Sequence, residues 1–154
     1  MTVPLRGMLA LGPRRWPGVA ELVLLAGAVE LGLRTVPLPR LAGWLRVPLV
    51  LDGIAAVPGT LADLELTRSE RDGMDSAWRL LRRRPFNPTC LRRALLGGYV
   101  LRRHAPVLRI GVAKTDRVVQ AHAWVEVNGV SLDPDATVLY EVLRMPGERS
   151  ADHV

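Results

Sequence analysis

A single cysteine, Cys90, precedes His122 and Asp133 along the chain. A thiol, an imidazole and a carboxylate are the parts of a nucleophile, its base and the group that orients the base. Brought together they attack an acyl carbon: the thiolate adds, the imidazole shuttles the proton, and the carboxylate fixes the imidazole tautomer. If the three converge, the expected chemistry is on peptide bonds or related acyl groups. His104 and His153 are weaker candidates. His104 follows Arg102-Arg103 at the end of an expected helix, where a cation complements the dipole, and His153 lies near the terminus; neither shares an expected face with an acid. One cysteine provides no disulfide, redox pair or cysteine-rich zinc site, and no two histidines stand at ligand spacing, so no metal is expected. Leu96-Gly97-Gly98-Tyr99 lacks the lysine and serine of a phosphate loop, so no nucleotide or other cofactor is expected.

The elements that must position these residues are readable from turn and cap signals. Asn87-Pro88-Thr89-Cys90 combines N-cap residues with a proline expected in the first turn, which starts a helix at Cys90 running to about Arg103. A cysteine there sits beside backbone N–H groups and the positive end of the helix dipole, which favour a thiolate and can donate to a developing oxyanion. Gly97-Gly98 inside this helix costs about 1 kcal/mol per glycine relative to alanine, which calls for close backbone packing against another element. Downstream the period changes: Val107 to Val112 and Val118 to Val127 are β-rich runs, and Asn128-Gly129 is a strong two-residue hairpin signal. That loop pairs Val127 with Val130, Glu126 with Ser131, Val125 with Leu132 and Trp124 with Asp133, so His122, Trp124 and Asp133 share a face. Asp133 lies diagonal to His122, about 7 to 8 Å away between Cα atoms, and Asp135 would face His122 directly if the ladder continued past Pro134. Register leaves both aspartates open.

The first half reads as apolar helices broken by proline and glycine. Val19 to Leu33 is an expected buried helix, ended by Pro37-Leu38-Pro39; a short apolar piece at Leu41 to Leu51 follows, then turns at Asp52-Gly53 and Pro58-Gly59. A further helix is expected over Ser69 to Arg84, stopping at Pro85. Glu21 and Glu30 interrupt the first apolar run short of the ~18 to 20 residues of a spanning helix, so the expectation is against a membrane, despite Arg14, Arg15 and Trp16 just ahead. The start shows no secretory signal pattern, which places the chain in the cytoplasm, where a thiol stays reduced. The 154 residues, 49% hydrophobic, suffice for one domain with its own core. Within it 1–67 form the helical apolar part, 68–145 the core that carries the chemistry, and 146–154 a flexible tail.

The formal net charge is +6. Arg82-Arg83-Arg84, Arg92-Arg93 and Arg102-Arg103 flank Cys90 in sequence, so a basic surface near the site would draw an acidic peptide. No zinc-finger spacing, aromatic RNP-like motif or helix-turn-helix accompanies the charge, and nucleic acid is not expected as a partner.

Thr89-Cys90-Leu91-Arg92-Arg93-Ala94-Leu95, the Leu108-Arg109-Ile110-Gly111-Val112 strand and Ala121-His122-Ala123-Trp124-Val125-Glu126-Val127, through Gly129 to Leu132-Asp133, resemble the transglutaminase-like cysteine peptidases of lasso-peptide biosynthesis. The resemblance covers Trp78 to Asp133, with an N-terminal half similar to that family's leading segment; Gly97-Gly98 departs from the bulkier residues expected there. It implies an α+β fold in which N-terminal helices pack on a small antiparallel sheet, a papain/transglutaminase-like core with the cysteine at a helix N-terminus. It also implies an endopeptidase that cuts the leader from a ribosomally made precursor peptide, after which an ATP-dependent lasso cyclase closes the ring. Cys90 would attack, His122 would move the proton and Asp133 would orient His122; Asp133 is preferred to Asp135 because the family's acid ends the strand after His-Ala-Trp. The chain resembles the split form, in which a separate recognition protein presents the leader. Two alternatives differ in class: transglutaminase-type acyl transfer to an amine, and a non-catalytic adaptor whose basic surface holds the peptide.

Overall fold

The computed structural model describes residues 16–51, 56–83, 85–115, 118–133 and 140–142. The expected tail 146–154, His153, Arg84, Arg14, Arg15, the Asp52-Gly53 turn, Pro134 and Asp135 lie outside the described residues. The architecture is α+β. Helices α1 (Trp16–Thr35), α2 (Leu38–Trp44), α3 (Arg68–Leu81) and α4 (Cys90–Val100) accompany strands β1 (Val57–Pro58), β2 (Val107–Thr115), β3 (Val118–Val127), β4 (Val130–Ser131) and β5 (Glu141–Val142). The strands form one sheet in the order β1-β4-β3-β2-β5. It is antiparallel except at one edge, where β1 runs parallel to β4, so the expected antiparallel sheet is corrected to a mixed one. The parallel edge exists because Val57 and Gly59 donate their N–H groups to Gly129 and Ser131 carbonyls on the outer side of the hairpin.

The hairpin register follows from the turn. Asn128 and Gly129 both have positive φ, 52° and 76°, the requirement of a type I′ turn. Val127 pairs with Val130 and Glu126 with Ser131, and the Leu132 N–H extends the ladder to the Val125 carbonyl at 3.0 Å. Period-2 alternation then divides β3. Ala123, Val125 and Val127 join the apolar core against α4, whose Leu95 and Leu96 are fully buried, while His122, Trp124 and Glu126 point to the other face.

The glycine pair in α4 has its explanation in two neighbours. A Cβ on Gly98 would stand 2.5 Å from Val47 Cγ1, and one on Gly97 would stand 3.2 Å from both Met74 Cε and Trp78 Cη2. The approach of α4 to the segment after α2 therefore requires the absence of a side chain at position 98, while at position 97 the fit against α3 is tight.

Other expectations change in detail. Pro37 does more than end α1: it is the N-cap of α2. The α3 boundary falls at Arg68 because Thr67 and Glu70 form a reciprocal capping box. The first helix is not buried all round. Leu22, Ala26 and Val29 form its inward stripe, whereas Leu24 and Leu31 are 75% and 64% exposed. Among the described residues no helix is long and apolar enough to cross a membrane.

Candidate active site

Thr89 has extended backbone angles and its hydroxyl accepts the Arg92 N–H, which makes Cys90 the first helical residue of α4. Pro88 thus stands ahead of the cap rather than inside the first turn, because the threonine hydroxyl does the capping. Cys90 is half-buried and free. Four residues on, its helix face continues with Ala94, and Arg93 and Gly97 complete the i, i+3, i+4, i+7 stripe that lines a cavity of about 360 Å³. The opposite wall comes from α3, where Met74, Trp78 and Arg82 recur at four-residue spacing. His122, Trp124 and Asp133 close the third side. The sulfur, the imidazole and the carboxylate chosen from the sequence therefore border one space.

His122 Nε2 lies 2.8 Å from Asp133 Oδ2. Register alone left Asp133 and Asp135 open, and the contact is made by Asp133; Asp135 is outside the described residues. Nε2 is the nitrogen turned to the carboxylate, so the tautomer that donates Nε2–H to Asp133 is the one that leaves the Nδ1 lone pair open to act as a base. The ring is also held by its faces. Tyr140 stacks on it at 4.9 Å between centroids, and Trp124 lies nearly parallel at 6.2 Å. Gly111, directly across from His122 on β2, makes room for that indole: a Cβ there would come within 2.9 Å of Trp124 Cη2.

Trp124 is in turn fixed by a buried polar chain. Its indole N–H donates to Glu126 Oε1 at 3.0 Å, and the other Glu126 oxygen accepts from Arg109 Nε at 2.9 Å. Arg109 also donates to the Val50 carbonyl at 3.2 Å. Both members of the ion pair are at least nine-tenths buried, so each offsets a charge that would be costly to bury alone.

The arginines around Cys90 divide into two groups. Arg92 turns from the cavity to pair with Glu30 on α1 at 2.7 Å, and Arg102 lies over the Tyr99 ring and 3.9 Å from Glu21. The hydrogen bond from Arg92, with its charge, holds the Glu30 carboxyl below its ordinary value, against a weaker desolvation. Arg82 and Arg93 remain on the cavity wall, Arg93 lying 5.8 Å over the Trp78 ring. Of the arginines flanking Cys90 in sequence, two, Arg82 and Arg93, line the cavity among the described residues. His104 also differs from expectation. It has an acid after all, Glu70 Oε1 at 3.0 Å, because α3 packs against α4 and brings its first turn alongside. Burial pushes the Glu70 carboxyl up, but hydrogen bonds from Thr67 and His104 outweigh it and the net direction is down. That pair belongs to the capping box, away from Cys90.

Tyr140, Trp78 and the Arg109–Glu126 chain were not singled out from the sequence. Trp124 and Glu126 carried one signal, a shared face with His122; Tyr140 precedes a two-residue strand and had none.

The family profile described as the transglutaminase-like superfamily matches residues 32–145. The chain belongs to that superfamily. Its members include cysteine peptidases, and cysteine peptidase or acyl-transfer chemistry is what membership supports for this transglutaminase-like chain. The match begins inside α1 and runs past β5, so the transglutaminase-like region takes in the end of the first helix as well as the cavity. No curated protein and no solved structure matches the chain.

Proposed function

We propose that this chain is a cytoplasmic cysteine endopeptidase that removes the leader from a ribosomally made lasso-peptide precursor. A separate recognition protein presents the leader, and an ATP-dependent cyclase then uses the new N-terminus. One observation carries the peptidase part: the His122–Asp133 contact faces the same cavity as the only thiol, at the first turn of a helix. The lasso-peptide part rests on the resemblance of the Cys90 and His122 segments.

In this reading the Cys90 thiol gives its proton to His122 Nδ1, and Sγ adds to the scissile carbonyl carbon. First-turn N–H groups of α4 stabilise the oxyanion. Collapse forms the thioester, breaks the C–N bond and returns the proton from the imidazolium to the leaving amine. Water, deprotonated by the same ring, hydrolyses the thioester and regenerates the thiol. Asp133 supports the imidazolium in both halves.

The test is cleavage of the precursor, with and without the recognition protein, followed by mass spectrometry. Wild type is expected to give leader and core fragments whose masses sum to precursor plus water. Cys90→Ala and His122→Ala, each checked for folding by circular dichroism, are expected to give none. Cleavage surviving either substitution at the wild-type rate would overturn the proposal, and a crosslinked product in place of fragments would move the chemistry to amine transfer.

A further inference from the structure

Among the described residues two cations, Arg82 and Arg93, face the cavity with no acidic partner. Arg93 is one helical turn from Cys90, about 4.5 Å along the axis, and on the same helix face. Arg82 approaches from the end of α3. Arg93 Cζ stands 5.8 Å from the centroid of the Trp78 ring, within range of a cation–π contact. The other charged or titratable groups facing the space, among the described residues, are Cys90, His122 and Asp133, and the Asp133 carboxylate is turned to the His122 ring. Between these groups the walls are apolar: Met74 is 2% exposed, Ala94 5% and Val125 5%. A space of this form accepts an apolar side chain in its depth and a carboxylate at its mouth.

We infer that Arg82 and Arg93 are specificity-determining residues that select an acidic side chain within two residues of the acyl group attacked by Cys90, next to an apolar side chain that fills the cavity. This deepens the peptidase reading and rests on it. The distance sets the range: an extended peptide advances about 3.3 Å per residue, so a carboxylate one or two residues from the scissile bond comes level with Arg93. Planar guanidinium and carboxylate pair in bidentate fashion, which amide side chains match poorly.

The lone thiol makes the test direct, because every label on the protein reports Cys90. The full chain is treated at low ionic strength with methyl, sulfonatoethyl and trimethylammonioethyl methanethiosulfonate, which are neutral, anionic and cationic, and each rate is divided by that for free cysteine. The anionic reagent is expected to outrun the cationic one by about tenfold, and the preference is expected to fall to about twofold in Arg82→Gln/Arg93→Gln and with added salt. In a second arm, acetyl-Ala-Leu-Glu-Ala amide and its Gln and Lys analogues compete with the neutral reagent. The Glu peptide is expected to protect Cys90 at about fivefold lower concentration than the Gln peptide, and the Lys peptide least of all, with the order lost in the double variant. Equal charged-reagent rates, or equal protection by the three peptides, would overturn the inference while leaving the peptidase reading intact. A thiol inert to the neutral reagent would remove both.

Discussion

Asp133 holds His122 through one ring nitrogen, and the chemical consequence is a choice of tautomer. Asp133→Asn keeps the size of the side chain but offers an N–H as readily as a carbonyl, so the ring can turn its basic nitrogen to the wrong side. Turnover of the precursor is expected to fall by about 10²-fold or more with little change in KM, measured by mass spectrometry of the fragments. Tyr140 acts through its face rather than its hydroxyl, since the ring stacks on His122 at 4.9 Å. Tyr140→Phe is therefore expected to retain the wild-type rate, and Tyr140→Ala to lose most of it while remaining folded by circular dichroism. The placement of Cys90, His122 and Asp133 around one cavity was legible from a cap signal, a strand alternation and a hairpin register. Tyr140 was not, because its contact with His122 is long-range in sequence and no local period encodes it. The division of the arginines was equally hidden. Whether Arg92 faces Glu30 or the cavity depends on where α1 lies, and sequence spacing does not contain that.

At the level of elements, the glycine pair in α4 predicts an order of effects. Alanine gains about 1 kcal/mol of helix propensity at either position. At Gly98 that gain meets a β-branched side chain with little freedom, and overpacking of this kind costs about 1 to 3 kcal/mol. At Gly97 one of the two neighbours is the flexible end of Met74, which can move. Gly98→Ala is expected to lower the denaturation midpoint clearly and Gly97→Ala much less, both read by urea titration followed by circular dichroism. The hairpin was the most legible element, since Asn128-Gly129 fixes loop length and register together. The first helix was the least. Its composition says that it is apolar but not how many of its sides find neighbours, and the stripe through Leu22, Ala26 and Val29 is narrower than the hydrophobic content of Val19 to Leu33 implies. The parallel β1 strand was missed for a related reason: two residues carry no alternation to read.

The molecule as a whole is joined by polar contacts between segments far apart in sequence. Arg109 and Glu126 tie β2 to β3 and, through the Val50 carbonyl, to the chain leaving α2. Removing one partner leaves a buried charge, so Arg109→Met is expected to destabilise the fold by about 3 to 5 kcal/mol in chemical denaturation. The Glu30–Arg92 pair adds a pH signature. The Glu30 carboxyl is held below its ordinary value of 4.5, chiefly by the hydrogen bond from Arg92. Its contribution is present above that value and is lost as the pH falls through the lower folded one. The stability difference between wild type and Glu30→Gln is therefore expected to be largest near neutrality and to vanish in acid, measured by thermal unfolding across that range.

Glu30 grips Arg92, two positions beyond the thiol, and Glu21 accepts the Tyr99 hydroxyl near the far end of the same helix. Helix α1 is consequently a splint along the helix that carries the thiol, bound near both of its ends. A fragment cut to begin at Arg68 would keep Cys90, His122 and Asp133 and yet lose the brace along the helix that carries the thiol, so a shortened chain has to be trimmed elsewhere.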